Sequence, residues 1–224
     1  VTVRAAFYVD GFNLYHAIND LSEPFLKWCN LRRLAEIIVP QQSEVVVKIV
    51  YCSAFYPGDS QKKWRHQQYI NALKLHGVDV ILGHYVHQVM ECRSCDERWQ
   101  QPSEKQTDIN IALSLFNDAR LDYYYKAYLI SADTDQASTV RFVKDNFPHK
   151  KVVPVVPPGR NPSQHINSFT TERPIKLNRN HIERSVMGES LFEPGAPVIR
   201  RPREYAPPAG WVHPDRRPSN SEKS

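Results

Sequence analysis

The sequence predicts an α/β fold built on a central parallel sheet with helices on both faces. Two patterns carry that expectation. Across the first 155 residues, short β-branched runs alternate with segments of helical periodicity, the signature of strands joined by helical crossovers. The runs are also apolar on successive residues rather than on every second one, as strands buried on both faces require.

Ala5 to Val9 is the first such run, stopped by Asp10-Gly11. A first helix follows and includes Asn13. Leu31, Leu34, Ile37 and Ile38 share one helical stripe in the segment Leu31–Val39. Val45 to Tyr51 reads as a second strand, ended by Pro57-Gly58. Gln61 to His76 is a mostly polar helix with Gly77 at its C-terminal stop, where a left-handed residue is favoured. Val78 to Leu82 is a third strand, followed by an irregular stretch. Ile109, Ala112, Leu113 and Phe116 form a stripe on a helix from Asp108 to Phe116. Ala127 to Ile130 is a fourth strand, Thr134 to Phe147 a helix, and Val152 to Val156 a fifth strand, stopped by Pro157, Pro158 and Gly159. Beyond it, Pro174 to Leu177 suits an edge strand and Ile182 to Val186 a helix. From Pro194 onward, Pro, Arg, Ser and Gly dominate and periodicity vanishes, which predicts a disordered tail, or one ordered by a protein partner.

Composition narrows the function classes. Of 224 residues, 41% are hydrophobic and 11% aromatic, enough for a packed core. No stretch approaches the roughly 20 apolar residues of a membrane span, so a soluble cytoplasmic protein is expected. The formal charge is +5, compatible with a polyanionic partner but too small to demand one. The tail accounts for much of it, with six basic and three acidic residues after Pro194. Cys29 and Cys52 lie in apolar settings and read as buried thiols. Cys92-Arg93-Ser94-Cys95 is half of a zinc-ribbon pattern. It makes Cys92 and Cys95 candidate ligands for a structural Zn²⁺, with His84 and His87 as candidates to complete the set, against the alternative of reduced thiols on a loop.

The chemistry-bearing residues stand at strand ends. In an open parallel sheet, ligands bind beyond the carboxyl ends of the strands at the switch point. Asp10 ends the first strand, Asp133 and Asp135 follow the fourth, and Asp108 opens the helix before it. Clustered carboxylates repel unless a cation or proton shares their site. All-oxygen donors suit Mg²⁺ or Mn²⁺, ions that polarise a phosphoryl oxygen and acidify a bound water. Any one of these acids could be only a turn former or helix cap; three segments delivering acids together favour a metal site. Asn13 and Ser131 could orient a water or a phosphate, and Lys105 and Arg160 could meet phosphates. The basic set Arg160, His165, Arg173, Lys176, Arg179, His181 and Arg184 could position a nucleic-acid strand. Trp64, Trp99 and Tyr123 to Tyr125 could stack on bases.

Three segments carry a family likeness. YVDGFNLYH (Tyr8 to His16), EKQTDINIALSL (Glu104 to Leu115) and YLISADTDQ (Tyr128 to Gln136) resemble, in order and spacing, the three motifs of the NYN branch of the PIN-like nucleases. The likeness runs from about Val3 to the region of Ser185. It implies a PIN-like, Rossmannoid three-layer fold over residues 1–193, with a CxxC insertion near 84–103 and a tail over 194–224. It implies a metal-dependent ribonuclease whose acids fall on Asp10, Asp108, Asp133 and Asp135, with Asn13 and Ser131 beside them. RNA is the partner implied, and a homo-oligomer is open. The family's third motif commonly has Gly where this chain has Ala132, a change that leaves the carboxylates in place. Competing readings are an RNA- or partner-binding module without catalysis, and a small-molecule enzyme in the same crevice. A haloacid-dehalogenase phosphatase would need an Asp at position 8, which is Tyr.

Overall fold

The computed structural model describes residues 2–92 and 94–218. Strands β1 (Val3–Asp10), β2 (Glu44–Ser53), β3 (Asp79–Leu82), β6 (Lys126–Ile130), β7 (Lys151–Val156) and β8 (Ile175–Lys176) form one sheet in the order β3-β2-β1-β6-β7-β8. All of its pairings are parallel. The crossover helices are α1 (Gly11–Asn19), α2 (Leu31–Ile38), α3 (Ser60–Leu75), α4 (Thr107–Arg120) and α5 (Gln136–Asn146), with the short α6 (Gln164–Ser168) and α7 (Arg179–Glu183) after β7. The chain belongs to the α/β class with helices on both sides of a parallel sheet, as the alternation of patterns predicts.

The central strands explain their own composition. On β1, Ala5, Phe7 and Val9 enter one core with Leu14, Ile18, Leu31 and Leu34. Ala6 and Tyr8 enter the opposite core with Ile111, Leu115, Val140 and Val143. Successive side chains of a strand point to opposite faces, so burial on both sides demands an unbroken apolar run. Cys29 and Cys52 are buried free thiols, as their settings predict. Gly77, with φ +70°, stops α3 in the left-handed conformation that a side chain would resist.

Order β3-β2-β1-β6 makes β1 the switch strand: the chain first builds outward through β2 and β3, then crosses back to add β6. The carboxyl ends of β1 and β6 are therefore neighbours with diverging connections, and a crevice opens there.

Two segments differ from the sequence reading. The irregular stretch before α4 is an antiparallel hairpin, β4 (His84–Glu91) with β5 (Arg98–Lys105). It hid because most of its side chains are exposed, so neither strand needs an apolar face. The tail also departs from its composition. Residues Ser190–Leu191 (β9) pair with Ile199–Arg200 (β10), and the chain beyond them lies against the body. Glu183 explains part of this. Its side chain is 2% exposed and accepts hydrogen bonds from Trp211 Nε1, Arg217 and Arg179. Burial alone would raise this carboxyl, but the three donors outweigh it and hold it below the usual range. Asp215 likewise accepts from Arg33 and Arg184, at 3.0 and 2.9 Å. The reading of residues 219–224 as part of a disordered tail lies outside the described residues.

Candidate active site

Asp10 is placed by a steric constraint and a cap. Its carboxylate Oδ1 accepts the Asn13 N–H at 2.9 Å, capping α1. A Cβ at Gly11 would come within 2.6 Å of the Cys52 carbonyl oxygen and 2.7 Å of the Tyr51 ring, so only glycine lets β1 turn into α1 this close to β2. Ser131, at the end of β6, donates from Oγ to Asp10 Oδ2 at 3.1 Å and accepts the Asp133 N–H at 3.1 Å. Asn13 Oδ1 accepts the Ala132 N–H at 3.1 Å. Asn13 and Ser131 thus tie the loop after β6 to the start of α1. The amide oxygen of Asn13 is occupied by this tie, which leaves its amide nitrogen as the group able to donate to a ligand.

Asp108 arrives from the first turn of α4. Gln136, almost fully buried in the first turn of α5, donates from Nε2 to Asp108 Oδ1 at 3.1 Å. Glu104, two residues before the left-handed Gln106, accepts the Thr107 N–H at 3.0 Å and so caps α4. Gln136, Glu104 and Thr107 were not singled out from the sequence as parts of a site. No standard capping pattern announces them: a capping box has its Glu three residues after the N-cap, whereas Glu104 precedes the N-cap Gln106, and Gln136 meets Asp108 across 28 residues.

Asp10, Asp108, Asp133 and Glu104 line one cavity of about 420 Å³, with Asn13 and Arg160 on its wall. The electrostatics record the crowding. Burial pushes the Asp10 carboxyl up to about 6, the charges of Asp108 and Asp133 adding to it against the lowering bonds from Asn13 and Ser131. Burial also raises Asp108, with Asp133, Glu104 and Asp135 reinforcing it and Gln136 opposing. The N-termini of α1, α4 and α5 are all near these acids, and their partial positive charge offsets some of the repulsion. Arg160 is the one Lys or Arg among the described lining residues, and its guanidinium donates to Asp20 at 2.6 Å.

Several expected participants stand elsewhere. Asp135 is exposed and does not line the cavity; its N–H donates to Asp133 Oδ1, so it shapes the turn. Lys105 does not line it either, because it ends the hairpin opposite His84. Of the basic set, Arg179 is bound to Glu23 and Glu183, and Arg184 to Asp215. Trp64, Trp99 and Tyr123 are exposed and Tyr124 is buried, none of them at the cavity. The zinc set fails at its histidines. Cys92 and Cys95 sit at the hairpin tip, whereas His84 is at its base. At about 3.3 Å per residue, His87 lies roughly 16 Å and His84 roughly 26 Å from Cys92 along the strand. Among the described residues, no three His, Cys, Asp or Glu side chains are gathered closely enough to hold an ion as they stand.

Three acids from three segments thus line one cavity at the switch strand. The sequence profile of the NYN domain matches residues 4–170. The chain belongs to the NYN domain family. NYN domains are a PIN-like nuclease family, and such nucleases are hydrolases that act on nucleic acid and usually use divalent metals. A crystal structure of a protein of unknown function from Vibrio parahaemolyticus has the same fold: TM-score 0.55 and 18% identity, over 80% of this chain and 94% of that one. No curated protein sequence matches the chain. No helix of the described residues is long and apolar enough to cross a membrane.

Proposed function

We infer that this NYN domain is a metal-dependent endoribonuclease, with Asp10, Asp108 and Asp133 as the groups that hold Mg²⁺ or Mn²⁺. The observation that carries the reading is the buried Asp10, raised to about 6 in a cavity lined by three further carboxylates and one arginine. A polyanion would be repelled from such a cavity unless a cation entered with it.

The donor chemistry fits a hard cation, since the lining acids offer only oxygen. Their spread within the cavity suits Mg²⁺ in particular, which keeps several waters and is held by one or two carboxylates together with substrate phosphates. When bound, such an ion supplies Lewis acidity and an acidified water for phosphodiester hydrolysis. The chain's own residues do the positioning. Ser131 and the Asn13 N–H hold the two oxygens of Asp10 in one orientation. Gln136 does the same for Asp108. Arg160 meets a phosphate oxygen after exchanging its exposed partner Asp20, an inexpensive swap because exposed ion pairs contribute about 0–1 kcal/mol. The N-terminus of α1 offers further stabilisation to a phosphate.

Structural Zn²⁺ at Cys92 and Cys95 has less support, two thiols being half a set. A cytoplasmic location and a second copy of the chain rest on the family likeness and composition alone. The deciding experiment incubates the protein with single-stranded and structured RNA in Mg²⁺, Mn²⁺ or EDTA, beside Asp10→Asn, Asp108→Asn and Asp133→Asn. Divalent-dependent cleavage abolished by all three substitutions supports the reading; variants that cleave like the parent overturn it.

A further inference from the structure

Beside the acid crevice lies a second cavity, of about 380 Å³, within the roughly 300–1,000 Å³ of pockets that take small organic ligands. Its walls are aromatic: Phe12, Tyr15, Tyr56 and Tyr85 from the body, and Tyr205 from the tail. Phe12, His16, Tyr85 and Pro102 line both cavities. The two therefore share a wall, and a ligand in one is adjacent to a ligand in the other.

The rings meet edge to face, with centroids 6.2 Å apart for Phe12–Tyr85 and 5.6 Å for Tyr56–Tyr85. That geometry leaves ring faces free of parallel stacking by one another. Tyr15 and Tyr56 remain 39% and 38% exposed, large surfaces for rings that could have been buried. Two ammonium groups also line this cavity. Lys27 Nζ stands 4.9 Å from the Tyr15 centroid, and Lys62 Nζ 5.8 Å from that of Tyr56. His66 is a further lining residue, and its Nε2 is buried with no hydrogen-bond partner among the described residues.

We propose that this cavity takes one unpaired nucleobase of a single-stranded nucleic acid whose backbone crosses the acid crevice. The path of the backbone rests on the nuclease reading above; the pocket itself does not. A nucleobase answers the observed features: a flat π-face for the tyrosines, and flanking phosphates for Lys62 and for Lys27, whose Nζ would exchange its exposed bond to Asn19. Purely apolar ligands leave the Lys62 ammonium on the cavity wall without an anionic partner. Duplex bases are stacked and paired inside the helix, so the pocket selects single strands or unstacked ends.

The test measures binding in Ca²⁺, which offsets the charge of the crevice carboxylates as the backbone crosses them, with the strand's integrity checked on a gel. A short labelled single-stranded RNA is compared with the same strand carrying abasic positions and with its duplex. The parent is expected to bind the intact strand about tenfold more tightly than the abasic one, and more tightly than the duplex. Tyr15→Ala and Tyr56→Ala should each remove most of that difference while leaving the abasic strand's affinity unchanged. Tyr15→Phe and Tyr56→Phe should keep it, which separates lost stacking from lost folding. Equal binding of intact and abasic strands by the parent, alanine variants that discriminate like the parent, or no binding of any strand would each overturn the proposal. Discrimination without cleavage in Mn²⁺ overturns only the nuclease reading, and cleavage without discrimination overturns only the pocket.

Discussion

The indole Nε1 of Trp211 donates to Glu183 Oε1 at 2.8 Å, joining a proline- and arginine-rich tail to a carboxylate buried on α7. Trp211 also meets Phe25 edge to face at 5.4 Å, so the contact is apolar as well as polar. Trp211→Ala removes both and is expected to cost about 1–3 kcal/mol. Hydrogen exchange read by mass spectrometry should then show faster exchange after about residue 199, with α4, α5 and the sheet unchanged. Fast exchange of the same segment in the parent would contradict the docking.

Asp10→Asn removes a buried negative charge from a crowded cavity. In EDTA near pH 7.5 the variant should melt higher than the parent, by roughly 2–8 °C for about 1–2 kcal/mol. Mn²⁺ should raise the parent's melting temperature and leave the variant's nearly unmoved. A variant stabilised by Mn²⁺ as strongly as the parent would show that Asp10 is not a ligand.

Gln136→Met keeps the volume of a buried side chain and deletes the donor to Asp108. Groups that orient metal-binding carboxylates typically contribute 10- to 100-fold to metal affinity. The Mn²⁺ concentration for half-maximal cleavage should rise about tenfold, while saturating Mn²⁺ should restore most of the rate. An unchanged Mn²⁺ dependence would mean that Asp108 needs no such support.

Burial pushes the His66 imidazole down to about 4 from its ordinary 6.5. The folded protein therefore resists a proton that the unfolded chain accepts, and stability falls as pH drops from about 6.5 to about 4. The contribution is on the order of 3 kcal/mol, fully present above the unfolded value and lost toward the folded one. His66→Phe should flatten this part of the melting-temperature profile. A profile as steep as the parent's would place the titration elsewhere.

The sheet was legible because its strands are buried on both faces, which forces a compositional signal that survives without any knowledge of neighbours. Asp10, Asp108 and Asp133 were legible because topology puts strand ends together. Asp135 misled for the same reason: two positions past Asp133, it shares the loop but its side chain faces solvent. Lys105 was misplaced because the hairpin that carries it has no buried face to announce it. The tail's attachment depends on partners such as Glu183 and Asp215 with Arg33, 182 residues apart in the last case. No local pattern encodes a pairing of that range.

The hairpin enters and leaves the domain on a single rung, His84 opposite Lys105, and Gly83 before it touches the Lys105 carbonyl so closely that a Cβ would lie 2.4 Å away. Because both ends are joined at that rung, the arm's length is decoupled from the position of Asp108. Rungs beyond His87 and Pro102, from Gln88 opposite Gln101 outward, can be removed in matched pairs or replaced by another turn without altering how α4 is presented. The arm is in effect a port: a place where a longer reach, a label or a foreign recognition loop could be grafted onto a nuclease core that would not register the change.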